Sequence, residues 1–211
     1  MVKVSTVGVI NYGLGNISSI RSAFRSLGVT SYLVSNQSDA MNCSHFILPG
    51  VGAMKSAMEE IVRQDIDNLI NFLVEAEKPI LGICLGMQLL GTKGYELSET
   101  LGLNLIEGEV HLITDNPRIR KLPRFGWIDV SSGNLNQKSR LLVKNETNRY
   151  YFANSYHLEP MDSNVITGLD MHGLVAVVEK DLVFGTQFHP EKSGIEGLKL
   201  LQRFLDIRGN N

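Results

Sequence analysis

The sequence predicts a single α/β domain with a mixed, mostly parallel sheet flanked by helices and antiparallel strands in its second half. Three observations predict it. The first half alternates short apolar runs with helix-periodic segments. The second half is a series of short strand candidates separated by polar turns. No repeat, low-complexity tract or linker interrupts the 211 residues, a length near the upper end of what one core organises, so one domain over 1–211 is expected.

Val7 to Ile10 is an apolar run of strand length. The glycine-bearing turn at 11–16 (NYGLGN) follows, after which Ile17, Ile20, Phe24 and Leu27 share one helical face. Tyr32 to Val34 and Phe46 to Leu48 are the next strands, the latter ended by Pro49. Ile66, Leu69, Ile70, Leu73 and Val74 have the spacing of an amphipathic helix. Pro79 introduces Ile80 to Ile83, a strand that runs directly into Cys84. This alternation is that of a parallel sheet covered on both faces.

Glu107 to Ile113, Gly126 to Val130, Tyr150 to Ser155, Val165 to Leu169, Leu174 to Val178 and Leu182 to Gln187 are strand candidates of another kind. Their spacing predicts antiparallel hairpins joined to the sheet or packed beside it. The final helix starts at Ser193, with Glu196 three residues on as a capping box and Leu198, Leu201 and Leu205 as its buried stripe.

Composition limits the function. Apolar residues make up 43% and charged residues 20%, the balance of an ordinary globular protein. A net charge of -2 argues against a nucleic-acid surface. Residues 1–5 show no signal-peptide pattern, and no apolar run reaches the ~18 residues of a membrane span. A cytoplasmic protein without membrane contact is expected. In that setting Cys43 and Cys84 read as free thiols, with Cys43 structural. His45, His111, His157 and His172 lack metal-ligand spacing, so neither metal nor cofactor is expected.

Gly82-Ile83-Cys84-Leu85-Gly86 lies where a strand ends and a helix starts, the form of a nucleophile elbow with sulfur in place of oxygen. Such a turn lifts the side chain into an exposed, strained position, and glycines on either side let the backbone pass. The helix N-terminus favours thiolate, and the Leu85 N–H points to where an oxyanion would form. A lone cysteine is more often a buried core residue. The glycines and the strand-to-helix context argue for the nucleophile.

A thiol nucleophile needs a base that takes its proton and returns it to the leaving group. His189 suits both roles, and Glu191, two residues on in a strand-like segment, can hold the ring in one tautomer. A surface histidine and a solvated carboxylate are the alternative reading. Leu48-Pro49-Gly50-Val51-Gly52-Ala53 follows a strand and opens a helix, so its N–H groups can converge on an anion.

GICLGMQLL at 82–90 and QFHPEKS at 187–193 resemble the nucleophile and histidine–glutamate segments of class I glutamine amidotransferases, in the family's order. The resemblance implies that Cys84, His189 and Glu191 hydrolyse glutamine and that Gln88 helps bind it. It places Val51, Gly52 and Leu85 around the oxyanion, where the peptide before the valine has to flip to complete the hole. It assigns Gly50, Asn154, Ser155 and Tyr156 to glutamine binding, largely through backbone.

The turn with Asn16, LPGVGAM at 48–54, Leu105 to Gly108, Phe125-Gly126-Trp127 and both motifs resemble one subgroup along nearly the whole chain. This is the glutaminase subunit of imidazole glycerol phosphate synthase, from histidine biosynthesis. The resemblance implies a (β/α)8 cyclase or synthase subunit as partner, receiving ammonia in a heterodimer, with Asn16, Arg124, Trp127 and Lys192 facing it. Two positions depart from the pattern. Arg124 stands where the family has the histidine of Pro-His-x-Gly-Trp, and Asn154 where it has the histidine before Ser/Thr-Tyr. Similar departures occur in paralogues that supply ammonia for amidino groups on bacterial surface sugars.

Two other classes leave traces. Residues 13–18 imitate a dinucleotide fingerprint but lack its third glycine, and the second strand lacks the acidic residue expected after it. A cysteine peptidase would share the elbow and the histidine, though Gln88 and QFHPEKS favour glutamine.

Overall fold

The computed structural model describes residues 5–114, 118–119, 121–131 and 138–209; residues 1–4, including most of the N-terminal segment read above, lie outside it. Among the described residues a nine-stranded sheet has the order β2-β1-β3-β4-β13-β12-β11-β8-β9. Its parallel part consists of β1 (Val7–Ile10), β2 (Ser31–Val34), β3 (His45–Leu48), β4 (Ile80–Ile83) and β13 (Val183–Thr186). The rest is antiparallel: β12 (Val175–Lys180), β11 (Ile166–Asp170), β8 (Arg124–Ser131) and β9 (Thr147–Asn154).

A smaller sheet, β10-β7-β5-β6, packs beside the first. It joins β7 (Gly108–Leu112) and β10 (Tyr156–Pro160) to the two-residue strands β5 (Lys93–Gly94) and β6 (Thr100–Leu101). Both expected placements of the second-half hairpins therefore occur. The strand at 156–160 had no sequence signal of its own.

Burial shows why the first half takes this form. Along β1, Val7 and Val9 pack in one apolar cluster and Ile10 in another; along β3, Ile47 and its neighbours Phe46 and Leu48 divide the same way. A strand points successive side chains to opposite faces, so both faces must be covered. Helices α3 (Met54–Arg63), α4 (Ile66–Glu75) and α5 (Leu85–Leu89) supply Met54, Ile61, Leu69, Leu73 and Met87 to one cluster. Helices α1 (Ile17–Ser26) and α6 (Gly194–Asp206) supply Ile20, Phe24, Leu200, Leu201 and Phe204 to the other. The short α2 (Gln37–Ala40) completes the set.

The expected stripe of α4 is realised, with Ile66, Leu69, Ile70 and Leu73 buried. Among the described residues no helix is long and apolar enough to cross a membrane. Cys43 and Cys84 are both free thiols.

The capping box expected at Ser193 is not formed. Ser193 occupies the N-cap position of α6 but makes no side-chain cap hydrogen bond. Its hydroxyl donates to the His189 carbonyl at 2.6 Å and accepts from Tyr151 N at 2.9 Å.

Candidate active site

The loops after β1, β3, β4 and β13 all leave the C-terminal end of the parallel strands, the edge where open α/β sheets bind ligands. They carry Tyr12, Pro49 to Gly52, Cys84, and Gln187 with His189. Strand order explains the meeting: β13 lies directly beside β4, pairing Thr186 with Ile83.

Cys84 has φ 57 and ψ -111, a conformation that costs a non-glycine residue roughly 1–3 kcal/mol. Backbone hydrogen bonds on both sides hold it there. Its N–H donates to Thr186 O at 2.8 Å, and its carbonyl accepts from Met87 N at 3.0 Å and Gln88 N at 3.3 Å. The elbow is thus formed as expected. Helix α5 is only five residues long, so its dipole is that of little more than one turn.

A β-carbon on Gly50 would fall 2.6 Å from Gly86 N and 2.8 Å from Leu85 Cβ, so the backbone after β3 lies directly on the elbow. A side chain at Gly86 would collide with the Leu48 carbonyl. The glycines permit this close approach, which puts the 50–52 segment beside the first amides of α5. Gly52 has φ 93 and Val51 is exposed. Behind the segment, the buried Tyr12 hydroxyl donates to Pro49 O at 2.7 Å. Burial pushes the Tyr12 phenol above its ordinary range, with the neighbouring Cys84 adding to the shift, so Tyr12 remains a donor.

His189 Nδ1 and Glu191 Oε1 are 2.8 Å apart, with both side chains buried. The carboxylate does not reach the ring along a strand, as the sequence suggested. Pro190–Lys192 is a 3-10 turn, and its curl brings Glu191 back to the side of His189. The His189 backbone is held at both ends, its N–H donating to Tyr151 O at 2.9 Å and its carbonyl accepting from Ser193. Burial disfavours the charged ring, but the adjacent Cys84 and Glu191 outweigh it and push His189 up to about 9. The ring therefore carries its proton at neutral pH, ready for a leaving group.

Gln88 is buried, its amide nitrogen donating to Tyr156 O and to Gln187 Oε1, each at 3.0 Å. Gln187, which no sequence expectation singled out, is fully buried and places its own amide nitrogen 3.9 Å from Cys84 Sγ. Its only sequence signal was its place at the head of the histidine motif. Asn154 also turns inward, donating to Tyr156 O at 2.8 Å, while the Ser155 carbonyl accepts from Ile113 N at 2.9 Å.

The expected partner-facing residues separate into two groups. Trp127 and Lys192 are exposed, as is Phe125. Asn16 caps α1, accepting from Ser19 N at 3.3 Å. Arg124 is only 7% exposed: it bonds to Asp170, donates to Asn154 Oδ1 at 2.9 Å and lies 4.8 Å over the Phe152 ring.

This arrangement, a strained cysteine beside a protonated imidazole with a carboxylate behind it, is competent for acyl transfer from an amide. The family model for "Glutamine amidotransferase class-I" matches residues 8–207. The chain belongs to this family.

Solved structures share the fold. A crystal structure of a glutamine amidotransferase superposes with a TM-score of 0.74 at 19% identity, covering 95% of this chain and 97% of that one. The structure of PurLQS from Thermotoga maritima gives 0.75 at 21%, covering 97% and 99%. Among relatives in sequence, the "Imidazole glycerol phosphate synthase subunit HisH" of Bacillus subtilis is 38% identical over 94% of both chains. The subunit of the same name from Pelagibacter ubique is 35% identical, covering 95% of this chain and 99% of its own.

Proposed function

We propose that this chain is the glutaminase subunit of an imidazole glycerol phosphate synthase, passing ammonia to a (β/α)8 cyclase subunit in histidine biosynthesis. The observation that carries this is near-full-length similarity, at 35–38% identity, to amidotransferase subunits of that one name from several bacteria.

In this reading Cys84 Sγ attacks the side-chain carbonyl carbon of glutamine. Val51, Gly52 and Leu85 N–H groups bind the resulting oxyanion, and the imidazolium of His189 gives its proton to the departing ammonia. Water, deprotonated by the same ring, then opens the thioester and releases glutamate. Glu191 holds the ring in the tautomer that both steps need. Gly50, Gln88 and the 154–156 segment bind glutamine, while Trp127, Lys192 and Asn16 meet the cyclase, and the cytoplasm is the setting.

The test is reconstitution with the cyclase subunit from the same organism, glutamine and the nucleotide-derived acceptor. Imidazole glycerol phosphate should form from glutamine. Product from ammonium salts but none from glutamine overturns the reading.

A second reading, ammonia supply for amidino groups on a surface sugar, is favoured by Arg124 and Asn154 at the two departing positions. It would leave the glutaminase intact and move the product to a sugar-modifying synthase.

A further inference from the structure

A primary amide has a donor end and an acceptor end, and its partners decide which way it faces. The backbone carbonyl of Tyr156 can only accept, so the group Gln88 turns to it, at 3.0 Å, is its NH2. That same NH2 is 3.0 Å from the Gln187 side chain, which must therefore present its oxygen. The NH2 of Gln187 is left facing Cys84 Sγ, at 3.9 Å.

The relay is anchored again from the other side. Asn154 gives its NH2 to the same Tyr156 carbonyl at 2.8 Å, and its oxygen accepts from Arg124 Nε at 2.9 Å, a group that can only donate. Arg124 is fixed in turn by Asp170, whose side chain is fully buried. Gln187, Gln88 and Asn154 are all at most 6% exposed, so water does not compete for these positions.

We propose that Gln187 is a further catalytic residue: its carboxamide N–H, oriented by the Tyr156 carbonyl through Gln88, donates to Cys84 Sγ. The bond favours thiolate over thiol and holds the sulfur in the site with His189. A donor aimed at an anionic sulfur in a buried site is stronger than the same donor in water. This inference rests on Cys84 being the nucleophile, as argued above.

The test follows the rate of Cys84 alkylation by iodoacetamide against pH, with glutamine turnover measured in the complex with the synthase partner. Gln187→Met keeps the length of the side chain but has no donor. Its alkylation midpoint should rise by about one pH unit. Turnover number should fall about tenfold, while KM for glutamine stays within about twofold, because Gln88 keeps its bond to Tyr156. Gln187→Glu sets a carboxylate against the sulfur, and its midpoint should rise further. A merely packing role would lower stability and leave the midpoint where it was, and an unmoved midpoint in either folded variant overturns the proposal.

A measurement on the unsubstituted chain covers the case in which both variants fail to fold. The side-chain NH2 resonances of Gln187 should move as the thiol titrates and stay still in Cys84→Ala; resonances that ignore the thiol overturn the proposal. Failure of the wild-type complex to hydrolyse glutamine counts instead against the glutaminase reading, since alkylation requires no substrate.

Discussion

Arg124 and Asn154 face each other across the antiparallel pair β8–β9 and are joined by a hydrogen bond from Nε to Oδ1 of 2.9 Å. The two positions at which the sequence departs from its subgroup are therefore one contact. Neither can change alone without stranding the other or the buried Asp170.

Arg124→Ala should cost about 3 kcal/mol in urea unfolding, because it leaves the Asp170 carboxylate buried without its cation. Backbone N–H groups of His172 and Leu174 still reach Asp170, which keeps the loss at the low end. Replacing Arg124 and Asn154 together by histidine should cost less than the sum of the single changes, by about 1 kcal/mol in a double-mutant cycle. Strict additivity would mean that the two residues are not coupled.

Cys84→Ala should abolish glutamine-dependent product while ammonium salts still feed the synthase. It should also release His189. The neighbouring Cys84 is one cause of the ring's rise to about 9, so in the variant the imidazole should titrate at lower pH by NMR. A ring still titrating near 9 would place the cause elsewhere.

Glu191→Gln keeps the shape of the carboxylate and removes its charge. Because Glu191 raises His189, the variant should lose its imidazolium at lower pH than wild type. The amide can also stabilise the wrong tautomer. Turnover should fall by about 100-fold or more, and the alkaline limb of the pH–rate curve should move to lower pH.

Gly50→Ala should push the 50–52 segment off the elbow, since the added methyl would sit 2.6 Å from the Gly86 nitrogen. Loss of one oxyanion donor costs about 100- to 1,000-fold in turnover. Circular dichroism should still report a folded chain, and full activity in the variant would remove this segment from the hole.

Trp127 is 53% exposed and makes an edge contact to Tyr151 at 6.2 Å. Trp127→Ala should change stability by less than about 1 kcal/mol. As the aromatic anchor of the proposed partner face, it should weaken subunit association by about 2 kcal/mol by calorimetry. Undiminished association would move the interface away from β8.

Local chemistry made the parallel half of the fold legible, because apolar runs, helical stripes and the elbow glycines are each written in a few adjacent residues. The strand at 156–160 was missed because it contains His157 and Glu159 and directly follows β9, with only Ser155 between them. Ser193 carried the composition of a cap, but the donor that takes its hydroxyl oxygen, the Tyr151 N–H, is visible only in three dimensions. Arg124 looked like a surface residue, because nothing near it in sequence reveals Asp170. Gln187 stood in plain view in the motif, yet its neighbour is a sulfur 103 residues away.

The insertion of β13 between β4 and β12 also sets a timetable. On the ribosome the thiol of Cys84 emerges early, with its strand still lacking a neighbour on one side. Its proposed base arrives only when residues 183–186 slot into that gap and carry His189 behind them. For about half of its synthesis, from Cys84 to His189, a growing chain therefore holds the proposed nucleophile without its proposed base, and the closing of the sheet brings the two together.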